Sequence, residues 1–360
     1  MTKDELFEIE IKRPSKEIYK SAKKALDLLA KPIDGFGRFE DMICRIASIQ
    51  ETVTPSVSDK ALVIMCADNG VVSQGVSQCG SEVTLSVAKL MGSRASTVGI
   101  MTKDYPVDII PVDIGIASDE KIDGVIDAKI KKGTDDIAKK SAMTEEECLA
   151  AIEKGINIAV LCKKNGTDLL ATGEMGIGNT TTATALFCAI TGKDPKEYTG
   201  RGAGLDNDGL SKKINVIEGA LKLHGFKKSA CKDKDDVLTA LSKLGGLDIA
   251  GLAGLFIGAA MCRIGIVIDG AISAVAALAA QRLVNGSRDY MFASHTGREK
   301  ITWAALSELN LVGVIDADMA LGEGTGAVML FPILDMVMNV YSSGTTFNEA
   351  SINRYERFEK

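Results

Sequence analysis

Only two histidines, His224 and His295, occur in the 360 residues, and the eight cysteines include no CxxC pair. Without Cys/His ligand spacing no structural zinc site is expected, and no metal or organic cofactor is assigned to the chain. A basic surplus is also lacking: 42 Lys and Arg face 48 Asp and Glu, for a formal charge of −6. That balance argues against a partner with a phosphate backbone, so no nucleic-acid binding is expected. No uninterrupted apolar run approaches the roughly 18 residues of a membrane span. The most apolar stretch, Ile249 to Val284, is cut by Arg263 and Asp269 and reads as buried core. The opening MTKDELFEIEIKRPSKEIYK has no apolar secretory core, so the cysteines read as reduced and the protein as cytoplasmic.

What is present is ordinary globular composition, 46% hydrophobic and 25% charged. The length exceeds the ~250–300 residues at which single cores stop growing, which favours a large domain with a smaller appendage. SKEIYKSAKKALDLLA (15–30) and DMICRIASIQ (41–50) have helical spacing. ALVIMCADNG, VDIIPVDIG, DLLATGEMGIGNTT and IGIVIDG are short apolar runs that stop in glycine-bearing turns, with helical patterns after them. This grammar predicts an α/β fold, a doubly wound parallel sheet with helices on both faces. Ligands of such sheets bind beyond the carboxyl ends of the strands, which places the chemistry in the glycine loops. KKSACKDKDDVL (227–238) reads as a charged surface loop.

Several loops carry candidate residues. In TGEMGIGNTTTATAL, Gly173, Gly176 and Gly178 precede Asn179 and three threonines at a helix start. Backbone N–H groups, hydroxyls and the helix dipole there suit a phosphate, although a plain strand-to-helix turn has the same composition. Glu174 within that loop would disfavour an anion unless it meets a polar or cationic part of a ligand. In YTGRGAGLDNDGLSKK, glycines frame Arg201, and Lys213 follows on a helix, either as a second anion site or as a solvent-facing lysine. In LGEGTGA, Glu323 stands between Gly322 and Gly324, either as a helix cap or as a general base. Asp68 and Asn69 end the first strand with GVSQCGSEVT beyond them, a loop able to shape an acceptor pocket. Asp269 reads as a helix-capping carboxylate or a ligand for a sugar hydroxyl. His295 in SHTGREK reads as a surface residue without a catalytic role.

The motifs ADNGVV, GEMGIGNTTT, GRGAGLD, GGLDIAGLAG, IGIVIDG and LGEGTGA, in this order between about Lys31 and Phe347, resemble the nicotinate-nucleotide:dimethylbenzimidazole phosphoribosyltransferases. The resemblance implies displacement of nicotinate from nicotinate mononucleotide by a base, with inversion at the anomeric carbon, to give the α-ribotide used as the lower ligand of cobamides. It places Glu323 as the base, with Glu174 beside it as a second catalytic carboxylate. Gly176, Ile177, Gly178, Asn179, Thr180, Arg201, Gly202 and Asp269 would hold the phosphoribosyl and nicotinate groups. Lys213 would neutralise the 5′-phosphate, reaching it from the neighbouring subunit, because the family is dimeric with sites near the interface. Ser77, Ser81, Met175 and Leu321 would line the acceptor pocket. The family fold implies a large α/β domain over 55–322 and a small helical domain from 1–54 and 323–360.

Three departures from the family pattern are expected to face that pocket. Ser81 stands before Glu-Val-Thr in place of a glutamine, TGREKIT replaces a proline-containing stretch, and YSSGTTF lacks a methionine. They open the alternative of a different acceptor, a purine or a phenolic ring such as phenol or p-cresol, the phenolic case with the chain as one subunit of a heterodimer with a paralogue. A non-catalytic partner subunit and a nicotinamide-dependent oxidoreductase are rival readings. The first is disfavoured by Glu323, Glu174 and Lys213, the second by the absence of GxGxxG with an acidic residue about 20 positions on.

Overall fold

The computed structural model describes residues 1–226 and 230–356. Its centre is a parallel six-stranded sheet of β1 (Lys60–Ala67), β2 (Asp108–Gly115), β3 (Ile126–Asp127), β4 (Leu169–Met175), β5 (Gly265–Ile268) and β6 (Met291–Ala293), in the order β3-β2-β1-β4-β5-β6. The strands foreseen from the apolar runs are β1, β2, β4 and β5, while β3 and β6 are too short to leave a periodic signal. Chain order reverses between β1 and β4, so a crevice opens beyond their carboxyl ends.

β1 shows why its sequence is apolar throughout. Ala61, Val63, Met65 and Ala67 join one hydrophobic cluster, and Leu62, Ile64 and Cys66 join the other across the sheet. With side chains alternating between faces, a strand covered by helices on both sides has no polar face to show. On the first face, the helices Glu145–Lys164 and Leu247–Cys262 lie very close together. A Cβ placed on Gly254 would sit 1.9 Å from the carbonyl oxygen of Ile152, so only glycine allows this approach. The other face is covered by Arg38–Gln50 and Thr325–Ser343. The helix Lys16–Leu28, capped by the Ser15 hydroxyl, forms a third cluster with Cys44, Ala47, Val340 and Tyr341.

Three sequence expectations are corrected here. KKSACKDKDDVL is not loop throughout: Lys227 to Ser229 lie outside the described residues, but Asp233 accepts the Asp236 N–H and starts a helix, Lys234–Leu244. The helix Thr325–Ser343 is long and apolar enough, by length and composition, to cross a membrane, and half of it is buried inside the fold. It carries Asp335, whose carboxylate pairs with Lys60 at 2.9 Å, and its apolar face packs on the sheet. Beyond the main sheet, β7 (His295–Gly297) and β8 (Ile315–Met319) form a separate parallel pair. SHTGREK is therefore not simply a polar loop, since it begins as a strand.

Candidate active site

A cavity of about 410 Å³ opens at the carboxyl ends of β4 and β5, within the range of small-ligand sites. Glu174, Met175, Gly176, Ile177, Gly178, Asn179 and Thr180 form one wall. Leu321, Gly322, Glu323 and Thr325 form another, and Asp269, His295 and Glu299 face the same space. The walls meet because glycine lets the chains cross. A Cβ on Gly173 would lie 2.8 Å from the carbonyl carbon of Glu323, so the LGEGTGA loop rests directly on β4. Glu323 itself has φ 58°, between Gly322 at 94° and Gly324 at 80°. A non-glycine residue in this left-handed region costs about 1 kcal/mol or more, a strain that recurs at functional sites. The Val98 N–H donates to Glu323 Oε2 at 3.2 Å, which leaves the second carboxylate oxygen without a partner among the described residues.

Capping duties fall differently from what spacing suggested. Glu323 does not cap the helix Thr325–Ser343. Asp269 does: its Oδ1 accepts the Ala327 N–H at 3.0 Å, and the Gly324 and Gly326 amides also favour its ionised form. Asp269 is thus the cap that spacing favoured, but for the C-terminal helix and not the one that follows it. Burial nonetheless pushes it up to about 6. Thr172 ties this corner to the sheet, donating to the Val267 carbonyl at 3.0 Å and accepting the Asp269 N–H at 3.3 Å.

Glu174 is braced by Asn179, whose side-chain amide donates both to Glu174 Oε2 and to Asp248 Oδ2, the latter at 3.0 Å. Burial, with the Asp248, Asp269 and Glu323 carboxylates adding to it, pushes the Glu174 carboxyl up to about 8. Burial likewise pushes Asp248 up to about 6. Behind Thr180, the Lys213 ammonium donates to its Oγ1 at 2.7 Å. Lys213 is 0% exposed, and burial draws it down to about 8, with Glu299 as the nearby opposing charge. Glu299 also accepts the Gly202 N–H at 3.0 Å.

Over residues 11–352 the chain matches the profile of a family described as "Phosphoribosyltransferase". It is 42% identical over 344 residues to the nicotinate-nucleotide--dimethylbenzimidazole phosphoribosyltransferase of Acetivibrio thermocellus, an alignment covering 94% of this chain and 96% of that one. The chain belongs to this family. A second phosphoribosyltransferase of the same name, from Ruminiclostridium cellulolyticum, is 41% identical over 349 residues, 97% of each chain. The crystal structure of CobT from Thermus thermophilus superposes with a TM-score of 0.87 at 32% identity, covering 94% of this chain and 100% of that one.

Most of the residues expected of such a phosphoribosyltransferase come together, and several do not. Glu323, Glu174, Gly176, Ile177, Gly178, Asn179, Thr180, Gly202, Asp269, Ser77, Met175 and Leu321 all line the cavity. Arg201 does not: its guanidinium turns back to the Leu205 carbonyl at 2.8 Å and to Asn207 Oδ1 at 2.6 Å, closing its own loop. Ser81 lies outside the lining too, at the position that precedes the helix Glu82–Gly92. Lys213 is not in the lining either, but it meets Thr180, which is, because the helices Asn207–Leu223 and Asn179–Thr191 pack on each other. Asp68 and Asn69 brace the loops from behind: Asp68 accepts the Ala117 N–H at 2.8 Å, and Asn69 donates to the Ile177 carbonyl at 3.4 Å. Sequence reasoning missed Asp248, visible only as the acid of GGLDIAGLAG, and placed His295 on the surface, whereas it is 4% exposed and faces the cavity.

The raised Glu174 carboxyl has a measurable consequence. From its ordinary 4.5 to about 8, the folded state holds this proton more tightly than the unfolded chain, so the stability it contributes is lost as pH rises through about 8. Asp248 and Asp269 act in the same direction but finish near 6. Glu174→Gln is therefore expected to lie within about 1 kcal/mol of the parent near pH 5 and to exceed it by about 4 kcal/mol at pH 8. Urea unfolding at both pH values reads this directly, and an equal offset at both would remove Glu174 as the cause.

Proposed function

We propose that the chain transfers the 5-phosphoribosyl group of nicotinate mononucleotide to dimethylbenzimidazole or a closely related aromatic base, releasing nicotinate and forming an α-ribotide for cobamide assembly. The observation that carries this reading is one cavity lined by Thr180, with the buried Lys213 ammonium directly behind it, and by the carboxylates of Glu323 and Glu174. The names of the relatives, which specify both substrates, support it.

In this reading the lone pair of one azole nitrogen attacks C1′, while the N–H on the other ring nitrogen passes its proton to the free oxygen of Glu323. The bond from C1′ to the nicotinate nitrogen breaks, and its electron pair neutralises the pyridinium ring, so nicotinate leaves without needing a proton. Attack opposite the departing ring inverts the anomeric carbon. Glu174, protonated near neutral pH, leaves Glu323 as the one base of the pair. Thr180, the start of the helix Asn179–Thr191 and Lys213 hold the 5′-phosphate, while Met175, Ile177 and Leu321 offer an apolar surface to the acceptor ring.

The phenolic alternative draws no support from the relatives, whose names carry dimethylbenzimidazole. With Ser81 outside the lining, it also loses the residue that most directly suggested an altered pocket. The dimer implied by the resemblance, of two copies or with a paralogue, belongs to this proposal, as does a cytoplasmic setting. Incubation with nicotinate mononucleotide and, separately, dimethylbenzimidazole, adenine, phenol and p-cresol tests the reading. We expect nicotinate release fastest with dimethylbenzimidazole, and release with phenols alone would overturn the acceptor assignment.

A further inference from the structure

We propose that His295 reads a ribose hydroxyl of the donor nucleotide through the lone pair on its Nε2, an inference that rests on the proposed phosphoribosyl transfer. The tautomer follows from the bonding network. The Ser294 hydroxyl has one hydrogen, and it donates to the Ile268 carbonyl at 2.6 Å. The 2.9 Å contact between Ser294 Oγ and His295 Nδ1 must then be donated by the ring, so Nδ1 carries the proton and Nε2 is a bare acceptor. Nε2 has no protein partner among the described residues, although the side chain is 4% exposed and lines the cavity.

The ring is held in place from the other side by Gly326. A Cβ there would lie 2.1 Å from both His295 Cε1 and Nδ1, so any side chain at 326 would displace the imidazole. This glycine belongs to the LGEGTGA loop, which locks His295 to the element that carries Glu323. Nε2 faces the start of the helix Ala271–Leu283, where a Cβ on Gly270 would be 4.0 Å away. The first-turn amides of that helix have no side-chain cap. A group that both donates and accepts fits between a lone pair and free N–H groups. Burial draws His295 below its ordinary range, in keeping with a neutral ring.

The substrates narrow the choice of donor. The phosphate dianion and the nicotinate carboxylate only accept hydrogen bonds, and the pyridinium nitrogen carries no hydrogen. The acceptor N–H is the proton that Glu323 removes. Only the 2′- and 3′-hydroxyls of the ribose remain to satisfy Nε2, so His295 distinguishes ribosyl from deoxyribosyl donors.

The test is a cycle of three proteins against nicotinate mononucleotide and its 2′-deoxy and 3′-deoxy analogues, reading kcat/KM with dimethylbenzimidazole. H295N keeps a donor for Ser294 but lacks the Nε2 acceptor, whereas H295Q returns an acceptor near that position. The parent should lose about tenfold with one deoxy donor. H295N should lose about tenfold with the intact donor and nothing further with that same deoxy donor, and H295Q should recover most of the loss. Equal penalties for H295N on all donors, or none on any, would overturn the assignment. If H295N does not fold, S294A frees the tautomer and should blunt the same discrimination about threefold, and unchanged discrimination there would be equally fatal. Failure of the parent itself to transfer from nicotinate mononucleotide would instead sink the proposed function.

Discussion

Glu323→Gln is expected to bind nicotinate mononucleotide as tightly as the parent while losing about 10²–10⁴-fold in turnover, the usual worth of a positioned general base. The substitution is nearly isosteric. A glutamine carbonyl can still accept the Val98 N–H that now rests on Oε2, and the left-handed backbone at residue 323 strains glutamine and glutamate alike. Loop geometry and stability should therefore survive, and only the capacity to take a proton disappears. In the proposed reaction the donor phosphate is held by Thr180 with Lys213 behind it, and not by Glu323, so its affinity should not register the change. Calorimetric binding of nicotinate mononucleotide, alongside steady-state release of nicotinate, separates the two properties. Turnover within about threefold of the parent would take Glu323 out of the proton transfer.

The sequence made the sheet legible where burial on both faces forces a continuous apolar run, as in β1 and β4. It made the cavity walls legible where glycines cluster, because close backbone crossing leaves a compositional trace at Gly173, Gly176, Gly322 and Gly324. Glu323 was a different matter. Its spacing suited a helix cap as well as a base, and in three dimensions the cap is Asp269, some fifty positions earlier in the chain. Asp248 and His295 were hidden for a related reason. Each acquires its role from a residue on another element, Asn179 for the first and Gly326 for the second, and no local pattern records such a meeting. Arg201 misled in the opposite direction: a cation framed by glycines looks like an anion site, yet it folds back on its own loop.

Lys213→Met should make the protein more stable and a poorer enzyme at once. Lys213 is fully buried, its ammonium meets only the Thr180 hydroxyl at hydrogen-bond distance among the described residues, and Glu299 lies near enough to oppose but not cancel the cost of desolvation. Its pKa is drawn from 10.5 to about 8. A depressed lysine releases its proton more readily folded than unfolded, so the fold carries the penalty in full below about 8 and sheds it as pH climbs towards 10.5. Methionine fills nearly the same volume without charge, and removing a buried, underpaired cation should add about 2 kcal/mol at pH 7, dwindling to nothing near pH 10.5. In the proposed reaction the same change deletes the cation that stands behind Thr180 at the 5′-phosphate. A charge-assisted bond of this kind is worth about 1.5–3 kcal/mol, so KM for nicotinate mononucleotide should rise about 10- to 100-fold with much less effect on kcat. Inorganic phosphate supplies the linking measurement: it should raise the melting temperature of the parent and leave that of Lys213→Met nearly unmoved. A variant that is both less stable at pH 7 and still stabilised by phosphate would show that Lys213 is a structural residue and that the anion is held elsewhere.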